Sequence, residues 1–232
     1  MTIRSNSSKK IAVVITAAGS SSRMGGPVKK EYLPLYDGTV LSSCIKAFTT
    51  VLDNPVIIVT VPKNGIEEAK RAACGFDVSF IEGGSTRQRS VLNALDYIKQ
   101  SFSEAEYVLI HDGARPFVST KLIQDVIDAT LSNSAAVPGI TPTDTIKAID
   151  EQGFITTHLQ RKNLTAVQTP QGFAFRPLYD AHKKAEQAPD ECTDDSEIWG
   201  KYCGKVKIVP GDTNNIKITY PGDLEKALNS KK

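Results

Sequence analysis

Small residues and positive charge are concentrated in one segment near the start of the chain, from Thr16 to Lys30. The small residues come directly after a hydrophobic run, where main-chain amides can approach an anionic ligand closely. The cations could then stabilise charge that builds on a transferring phosphoryl group. The residues concerned are Ala17, Ala18, Gly19, Arg23, Lys29 and Lys30. Their spacing matches neither the Walker A loop nor the dinucleotide fingerprint, so an ordinary connection between strand and helix remains the alternative.

A second candidate loop runs from Gly83 to Ser90 and opens with two glycines before a predicted helix. Main-chain amides at such a place can receive the edge of a base or a phosphate. Ser85 or Thr86 would equally serve as the N-cap of that helix, which is a purely structural role. The loop is therefore a candidate nucleotide contact with a structural alternative.

A third loop, His111 to Pro116, follows the most hydrophobic predicted strand and carries an acid and a base three residues apart. Asp112 could hold a divalent cation together with substrate phosphates, and Mg²⁺ suits this because it needs only one or two protein carboxylates. The alternative is a structural bond between Asp112 and Arg115 that closes the turn. The three histidines of the chain show no ligand spacing, so no zinc site is predicted.

Two features of the last part of the chain complete the set of candidate residues. Thr193 precedes two acids at the start of a predicted helix, where it suits the N-cap position. Lys217 stands among apolar residues of a predicted short strand. Its desolvation there would be unfavourable unless a carboxylate or a ligand phosphate lies near. Lys217 is therefore the most conspicuous candidate in the second half of the chain.

Continuous β-branched apolar runs predict the strands that must carry these loops, and helical patterns separate them. The predicted strands are 11–15, 56–61, 78–81 and 107–110, and the predicted helices are 41–52, 86–102 and 122–131. This alternation predicts an α/β fold with a mainly parallel sheet and helices on both faces. All three loops should then lie beyond the carboxyl ends of the strands, where such sheets bind ligands.

The alternation breaks from about Thr141 to Gly172, where two strands around a turn at 150–153 predict a protruding β-hairpin. A hairpin is marginal alone, so this arm, at about 141–165, must lean on something. Helices are predicted at 177–188 and 194–202, short strands at 206–209 and 216–219, and a final helix begins at Pro221. The length of 232 residues and the lack of internal repeats predict a single domain over 1–232.

The bulk composition argues against several classes of partner. The formal net charge is only +2, which favours neither a nucleic acid nor a membrane surface. No segment approaches the roughly 20 apolar residues that a membrane span needs. The four cysteines form no C-x-x-C pair, which is typical of free thiols in a reducing compartment, and we expect a cytoplasmic protein.

The loops and the later residues form an ordered series of short motifs over nearly the whole chain, from about Ile11 to Leu228. The motifs are Ala-Ala-Gly (17–19), Arg-Met-Gly (23–25), Lys-Glu-Tyr-Leu (30–33), Gly-Gly (83–84), His-Asp-Gly-Ala-Arg-Pro (111–116), Thr-Pro-Gln (169–171), Thr-Asp-Asp (193–195) and Asn-Ile-Lys-Ile-Thr (215–219). Each is weak alone, but in this order they resemble the 2-C-methyl-D-erythritol 4-phosphate cytidylyltransferase family of the non-mevalonate isoprenoid pathway. The resemblance implies a Rossmann-like nucleotidyltransferase fold, dependence on Mg²⁺, and a homodimer whose protruding arms embrace.

The resemblance also implies a reaction, in which CMP passes from CTP to the phosphate of methylerythritol phosphate by in-line attack, without a covalent enzyme intermediate. Arg23 and Lys30 would stabilise the charge on the α-phosphate. Arg161 and Lys217 would position the acceptor phosphate. The residues implied to line the CTP pocket are Ala17, Ala18, Gly19, Gly84, Ser85 and Ser90. Those implied to hold the acceptor or its metal are Asp112, Arg115, Thr193 and, from the arm across the dimer, Thr145.

The chain departs from the family pattern within the nucleotide loops. A proline is usual where Lys29 stands, so Lys29 competes with Lys30 for the catalytic role. A glycine is usual where Ser21 stands. The usual acid is absent at Ser85, which leaves recognition of the base there to main-chain groups.

Two alternative functions remain open at the level of sequence. The first is a ribitol-5-phosphate cytidylyltransferase, which shares the fold and the nucleotide loop but uses another acceptor. The second is a nucleotide-binding protein that has lost turnover. The intact Arg23, Lys30 and Lys217 argue against the second, because a pure sensor needs no lysine directed at an acceptor phosphate.

Overall fold

The computed structural model describes residues 10–25 and 28–229, which leaves Gly26 and Pro27 of the first candidate loop outside. The strands in chain order are β1 (Ile11–Thr16), β2 (Pro34–Leu35), β3 (Gly38–Thr39), β4 (Val56–Val61), β5 (Ser79–Glu82), β6 (Tyr107–Asp112), β7 (Ala135–Ile140), β8 (Lys147–Ile149), β9 (Ile155–His158), β10 (Ala166–Val167), β11 (Gln171–Ala174) and β12 (Lys207–Pro210). The helices in chain order are α1 (Val40–Val51), α2 (Ile66–Ala72), α3 (Arg87–Ser101), α4 (Thr120–Asn133), α5 (Phe175–Ala185), α6 (Asp195–Tyr202) and α7 (Pro221–Asn229). Short 3-10 turns occur at Lys30–Tyr32 and Arg161–Asn163. Within the described ranges, no helix combines the length and the apolar character that a membrane span requires.

A mainly parallel mixed sheet forms the centre of the fold. Strands β7, β11, β6, β1, β4 and β5 lie side by side in that order, and β10 and β12 also pair with β7. The pairs β1–β4, β1–β6, β4–β5 and β7–β12 are parallel, whereas β11 runs antiparallel to β6 and β7. Helices cover both faces, so the predicted α/β class is confirmed.

Strand β1 is buried on both faces, which explains its uninterrupted apolar sequence. Val13 and Ile15 pack with α1, α2 and α4 on one face, and Ala12 and Val14 pack with α3, α5 and α6 on the other. Each of these four side chains is at most 1% exposed. Because successive side chains of a strand point to opposite faces, both helical layers are anchored on this one strand.

The strand order reverses at β1, and this reversal gathers the candidate loops. The chain leaves β1 towards β4 and β5 on one side and returns through β6 on the other. Thr16, at the end of β1, is in register with Thr60 of β4 and with Asp112 of β6. The loops that follow these strands therefore open at one edge of the sheet, which is where open α/β sheets bind ligands.

Strands β8 and β9 form a two-stranded sheet of their own and lie within the predicted arm. Their turn is closed by a hydrogen bond of 3.1 Å from the N–H of Gly153 to the carbonyl of Asp150. The arm carries exposed apolar side chains, with exposed fractions of 64% for Ile149, 68% for Phe154 and 55% for Ile155. Such a concentration of exposed apolar groups is typical of a surface that contacts another molecule.

The short strand predicted at 216–219 is wrong, because this segment forms an irregular connection. Arg115 Nη1 donates to the carbonyl of Asn215 at 2.7 Å, and the N–H of Ile218 donates to the carbonyl of Ala114 at 2.8 Å. These bonds reach the loop after β6 rather than a neighbouring strand. The segment is therefore held against the candidate site by individual contacts.

The predicted N-cap of α6 is also wrong by one residue. Asp194 caps the helix, since its Oδ1 accepts a hydrogen bond of 2.9 Å from the N–H of Glu197. The hydroxyl of Thr193 instead donates to Oε2 of Glu197 at 2.9 Å. A carboxylate accepts from the first turn more strongly than a hydroxyl does, which favours the aspartate at this position.

Candidate active site

A cavity of about 700 Å³ opens at the carboxyl edge of the sheet, where the loops after β1, β5 and β6 meet. Predicted site residues from all three loops line it, together with the lysine from the segment before α7. These residues are Ala18, Gly19, Arg23, Lys30, Gly84, Ser85, Ser90, Asp112 and Lys217. Side chains from distant parts of the sequence thus share one solvent-accessible space.

Asp112 ends β6 at the edge of this cavity and is surrounded by cations. Lys217 Nζ lies 2.8 Å from its Oδ2, Arg87 Nε lies 3.5 Å from its Oδ1, and Arg115 Nε lies 3.7 Å from its Oδ2. Burial alone would raise the pKa of Asp112, but the three cations outweigh it and hold that pKa well below its usual value. Asp112 therefore carries a full negative charge at neutral pH.

A buried histidine fixes the position of the Asp112 main chain. The N–H of Asp112 donates to Oγ1 of Thr169 at 3.1 Å, and the same hydroxyl lies 3.0 Å from Nδ1 of His111. His111 Nε2 lies 3.1 Å from the carbonyl of Arg115, and its side chain is fully buried. Burial lowers the pKa of His111 to about 4, so the ring is neutral at pH 7. His111 therefore has the structural role expected of a packed histidine at a strand end.

Arg87 is a site residue that sequence reasoning missed. It begins α3, which is capped by the hydroxyl of Thr86, and it bridges two carboxylates. Its Nη1 lies 2.7 Å from Oδ2 of Asp195, and its Nε faces Asp112. Asp195 is fully buried, and its Oδ1 lies 3.0 Å from Nε2 of His182. Burial would lower the pKa of Arg87, but Asp195 and Asp112 outweigh it and raise that pKa further.

Lys30 lines the same cavity and lies close enough to this charge cluster to interact with it electrostatically. Its pKa is lowered, chiefly because it is desolvated, and the positive charges of Lys217 and Arg23 contribute to the lowering. Glu31 and Asp112 act in the opposite direction. Lys30, Lys217 and Arg23 therefore act on one part of the cavity, where a highly charged anion would be stabilised.

Gly83 shows how closely the nucleotide loops approach each other. A Cβ atom at this position would lie 2.4 Å from Cβ of Ala18 and 2.7 Å from Oγ of Ser90. The hydroxyl of Ser90 accepts from the N–H of Gly84 at 3.0 Å and donates to the carbonyl of Thr86 at 2.8 Å. A side chain at position 83 would separate the loops, so glycine is required here for steric reasons.

Three of the predicted contacts lie outside the cavity in the described structure. Ala17 is 1% exposed and belongs to the core, and its N–H donates to the carbonyl of Thr60 at 2.9 Å. Arg115 pairs with Asp112 and donates to the carbonyl of Asn215, next to the 216–219 segment. Thr193 bonds to Glu197 at the start of α6. Each of these side chains is committed to the protein itself.

The two predicted arm residues also lie away from the cavity of their own chain. Arg161 Nη2 donates to Oγ1 of Thr145 at 3.3 Å, and both residues are exposed. Neither lines the cavity. Their proximity to each other forms a small polar cluster at the base of the arm, available to another molecule.

The cavity offers few carboxylates for a metal ion. They fit an ion whose other ligands come from a bound nucleotide better than an ion held by protein side chains alone. Asp112 and Glu31 are the carboxylates in its described lining, and Glu31 is already engaged by Ser21 and Lys29. In the described part of the chain, no three metal-ligating side chains cluster together. A single carboxylate such as Asp112, although it is paired with Lys217 in this structure, suits an Mg²⁺ ion that keeps waters and binds mainly to nucleotide phosphates.

A Rossmann-like sheet with a cavity at its switch point occurs in several enzyme classes, and likeness to a solved cytidylyltransferase places this fold in the nucleotidyltransferase class. Over residues 11–229 the chain matches the family model described as 2-C-methyl-D-erythritol 4-phosphate cytidylyltransferase. The chain belongs to this family, which confirms the resemblance of its motifs.

Individual relatives align with this chain over nearly its full length. The protein of that name from Clostridium perfringens (strain SM101 / Type A) is 40% identical over 219 residues, covering 93% of this chain and 96% of the relative. The protein of that name from Clostridium beijerinckii is 38% identical, and the alignment covers 92% of this chain and 95% of the relative. Among solved structures, the 4-diphosphocytidyl-2C-methyl-D-erythritol synthase of Anaerococcus prevotii has a TM-score of 0.84 at 29% identity, with 96% of each chain covered. The cytidylyltransferase of Thermus thermophilus has a TM-score of 0.77 at 31% identity, with 95% and 98% covered.

Proposed function

We propose that this chain transfers the cytidylyl group of CTP to 2-C-methyl-D-erythritol 4-phosphate and releases pyrophosphate. The observation that carries the proposal is the meeting of Lys30, Lys217 and Asp112 in one cavity beside the Ala18–Gly19 loop. Relatives over more than nine-tenths of the chain bear the name of this activity. The cavity and the family therefore support the same reaction.

In this reaction a phosphate oxygen of the acceptor attacks the α-phosphorus of CTP and forms a new P–O bond. The bond from the α-phosphorus to the bridging oxygen breaks, and pyrophosphate leaves with that electron pair. Arg23 and Lys30 stabilise the charge that develops on the α-phosphate, and Lys217 holds the acceptor phosphate in line. The protein thus contributes alignment and fixed charge, and no side chain forms a covalent bond to the substrate.

We also propose that the nucleotide binds as its Mg²⁺ complex. Bound to the triphosphate, the ion would neutralise part of its charge and orient it for displacement. Asp112 would be its protein ligand, because it ends β6 in the lining of the cavity, at the edge of the sheet where the triphosphate is proposed to bind. Coordination there would replace part of the contact that Asp112 now makes with Lys217.

A homodimer is part of the same proposal. The arm exposes Ile149, Phe154 and Ile155, and its two strands pair with each other rather than with the central sheet. Burial of these side chains against a second copy would stabilise the arm. Arg161 and Thr145 would then approach the acceptor site of the partner subunit, since they lie away from the cavity of their own chain.

A cytoplasmic location is supported by the state of the cysteines. The cysteines are free thiols, and Cys74 and Cys203 are exposed. Exposed free thiols persist in reducing compartments and are oxidised elsewhere. Fractionation of cells, followed by detection of the protein in the cytosolic or the membrane fraction, checks this location.

The acceptor assay tests the proposed activity directly. Purified protein is incubated with CTP, Mg²⁺ and either 2-C-methyl-D-erythritol 4-phosphate or ribitol 5-phosphate, and pyrophosphate release is followed. We expect release to require all three components and to be faster with methylerythritol phosphate. Faster turnover with ribitol 5-phosphate would reassign the acceptor. Binding of CTP without turnover on either acceptor would indicate a nucleotide-binding protein that has lost catalysis.

A further inference from the structure

Lys29 and Lys30 are adjacent in sequence but make different contacts. The ammonium of Lys29 donates a hydrogen bond to the carbonyl of Gly19 and lies 3.8 Å from Oε2 of Glu31. Its side chain is 16% exposed and belongs to the cavity lining, where these two contacts hold its ammonium against the protein. Lys30 instead faces the positive charges of Lys217 and Arg23. The two lysines therefore cannot share one role.

Glu31 links this lysine to a second point of the loop. The carboxylate is 3% exposed, and its Oε2 accepts a hydrogen bond of 3.2 Å from the hydroxyl of Ser21. Ser21 has a φ of +54°, in the left-handed region that non-glycine residues rarely adopt. A hydrogen bond from its side chain to a buried carboxylate stabilises Ser21 in this otherwise unfavourable conformation.

The contacts at Gly19 and at Ser21 hold the loop that presents the groups proposed to bind the triphosphate. The peptide between Gly19 and Ser20 is planar, so fixing the carbonyl of Gly19 also fixes the direction of the Ser20 N–H. The N–H of Met24 donates to the carbonyl of Ser21 at 2.9 Å and closes a turn that contains Arg23. The conformation of Ser21 therefore determines where this turn, and with it Arg23, stands relative to the cavity.

We propose that Lys29 is a positioning residue, which together with Glu31 and Ser21 forms a lock that preorganises the nucleotide loop for the triphosphate. This inference rests on the proposed function for its consequence in catalysis, and on the contacts above for its geometry. The ammonium acts through the Gly19 carbonyl and the Glu31 carboxylate and does not touch the phosphates. Because Glu31 neutralises its charge locally, Lys29 adds little to the field in the cavity.

Four single variants and one double variant separate this role from direct phosphate binding. Lys29→Met removes the ammonium and keeps the length of the side chain. Glu31→Gln removes the carboxylate charge and keeps an acceptor for Ser21. Lys29→Arg keeps a donor cation, and Lys46→Met, on the exposed face of α1, is the matched control. The double variant of Lys29→Met with Glu31→Gln tests whether the two side chains act as a unit.

If the lock operates, Lys29→Met and Glu31→Gln each raise the KM for CTP about tenfold. The first removes the charge-assisted bond to the Gly19 carbonyl, and the second removes the charge that attracts the ammonium and strengthens the bond from Ser21. The KM for the acceptor stays within experimental error of the Lys46→Met control, and so does the thermal midpoint of the double variant, in which neither buried charge is left without its partner. The double variant is no worse than either single variant, and Lys29→Arg restores most of the affinity for CTP. These outcomes distinguish a positioning effect from a general loss of stability.

Direct phosphate binding predicts a different pattern. Glu31→Gln would then free Lys29 and leave the KM for CTP unchanged or lower, and this result, or an unaffected Lys29→Met, overturns the proposal.

Hydrogen exchange of the free full-length protein gives a readout independent of turnover. Amides of residues 19–25 should exchange faster in Lys29→Met and Glu31→Gln than in Lys46→Met. If the unsubstituted protein turns over neither acceptor, the proposed function alone fails, and unchanged exchange rejects the lock separately.

Discussion

The ammonium nitrogen of Lys217 lies 2.8 Å from Oδ2 of Asp112, although most of the second half of the chain separates the two residues. Arg87 and Arg115 approach the same carboxylate at 3.5 and 3.7 Å. One negative charge therefore holds three cations at the edge of the cavity. Without it the cations would repel one another in a partly desolvated environment.

Asp112→Asn should consequently reduce both stability and activity. We expect the free energy of unfolding to fall by about 1 to 2 kcal/mol, because Arg115 loses its counter-charge at a largely buried position, whereas Arg87 keeps Asp195 and Lys217 is partly solvated. We expect kcat/KM to fall by about a hundredfold, since the cavity loses its proposed Mg²⁺ ligand and Lys217 loses the carboxylate that helps to position it. Urea denaturation and steady-state kinetics measure the two effects.

The matched control is Asp125→Asn, which breaks an exposed ion pair with Lys121 on α4. Exposed pairs contribute less than about 1 kcal/mol, so this variant should remain close to the unsubstituted protein. Equal losses in Asp112→Asn and Asp125→Asn would contradict a central role for the carboxylate cluster.

Lys30→Ala should lower turnover much more than it lowers the affinity for CTP. If Lys30 meets charge that develops only in the transition state, its loss raises the barrier by about 3 kcal/mol, or roughly a hundredfold in kcat. Calorimetric binding of CTP and steady-state kinetics separate the two quantities, with Lys46→Ala as the control on an exposed helical face. Equal losses in affinity and in kcat would show that Lys30 binds the ground state.

The nucleotide loop could be located from the sequence because β1 is buried on both faces. Its six residues form an apolar run that ends at Thr16, and the sheet places ligands directly after such a strand. Strands β4 and β6 could be recognised in the same way. The pattern also predicted that their loops meet, since parallel strands end at one edge.

Strand β7 could not be predicted, because Pro138 and Gly139 interrupt its pattern. The structure accepts Pro138 because residues 137 and 138 lie between the pairings of β7 with β10 and with β11. There the carbonyl of Pro138 accepts from the N–H of Gln168 at 2.8 Å, and the reciprocal bond that a proline cannot donate falls where the pairing of β7 with β10 ends. This accommodation depends on a partner strand almost 30 residues away and leaves no local signal.

The network around Arg87 was missed for a related reason. The loop at 83–90 was identified as a nucleotide contact, but nothing in its spacing shows which side chain turns towards Asp112. That direction depends on Asp195 and His182, which belong to α6 and α5 and meet Arg87 only in the folded chain. Long-range ion pairs of this kind are set by tertiary packing, whereas the apolar period of a strand is local.

Arg161 should act in trans if the arms of a dimer embrace. A heterodimer of one Arg161→Ala chain and one Lys30→Ala chain would contain one site with both residues intact, and we expect about half of the activity of the unsubstituted dimer. The heterodimer is isolated by two affinity tags after co-expression, and pyrophosphate release is measured. Recovery of activity requires that Arg161 serve the partner subunit's site.

The reciprocal heterodimer is the control. It pairs an unsubstituted chain with a chain that carries both Lys30→Ala and Arg161→Ala. Action in trans leaves this dimer without an intact site, whereas action within one chain leaves it about half active. The two heterodimers therefore give opposite results under the two arrangements, and inactivity of the first with activity of the second would exclude action in trans.

Tyr32→Phe should stabilise the protein at neutral pH. The side chain is 7% exposed, and its hydroxyl has no hydrogen-bond partner in the described part of the chain. A buried hydroxyl without a partner is unfavourable by about 1 kcal/mol or more, so its removal should raise the free energy of unfolding by about that amount. Urea denaturation at pH 7 measures the change, with Tyr36→Phe as the control because Tyr36 is 63% exposed.

The same hydroxyl should make the unsubstituted protein sensitive to alkali. Burial, with the nearby charges of Glu68 and Glu31, raises the pKa of Tyr32 to about 12 from a reference value of 10.0. Above pH 10 the unfolded chain releases this proton more readily than the folded chain does, so the free energy of unfolding keeps its full value below pH 10 and falls as the pH rises towards 12. By pH 11 the loss should reach about 1 kcal/mol, and it should be absent from Tyr32→Phe but retained in Tyr36→Phe. An equal decline of all three proteins between pH 8 and pH 11 would show that Tyr32 ionises as easily in the folded chain as in the unfolded one.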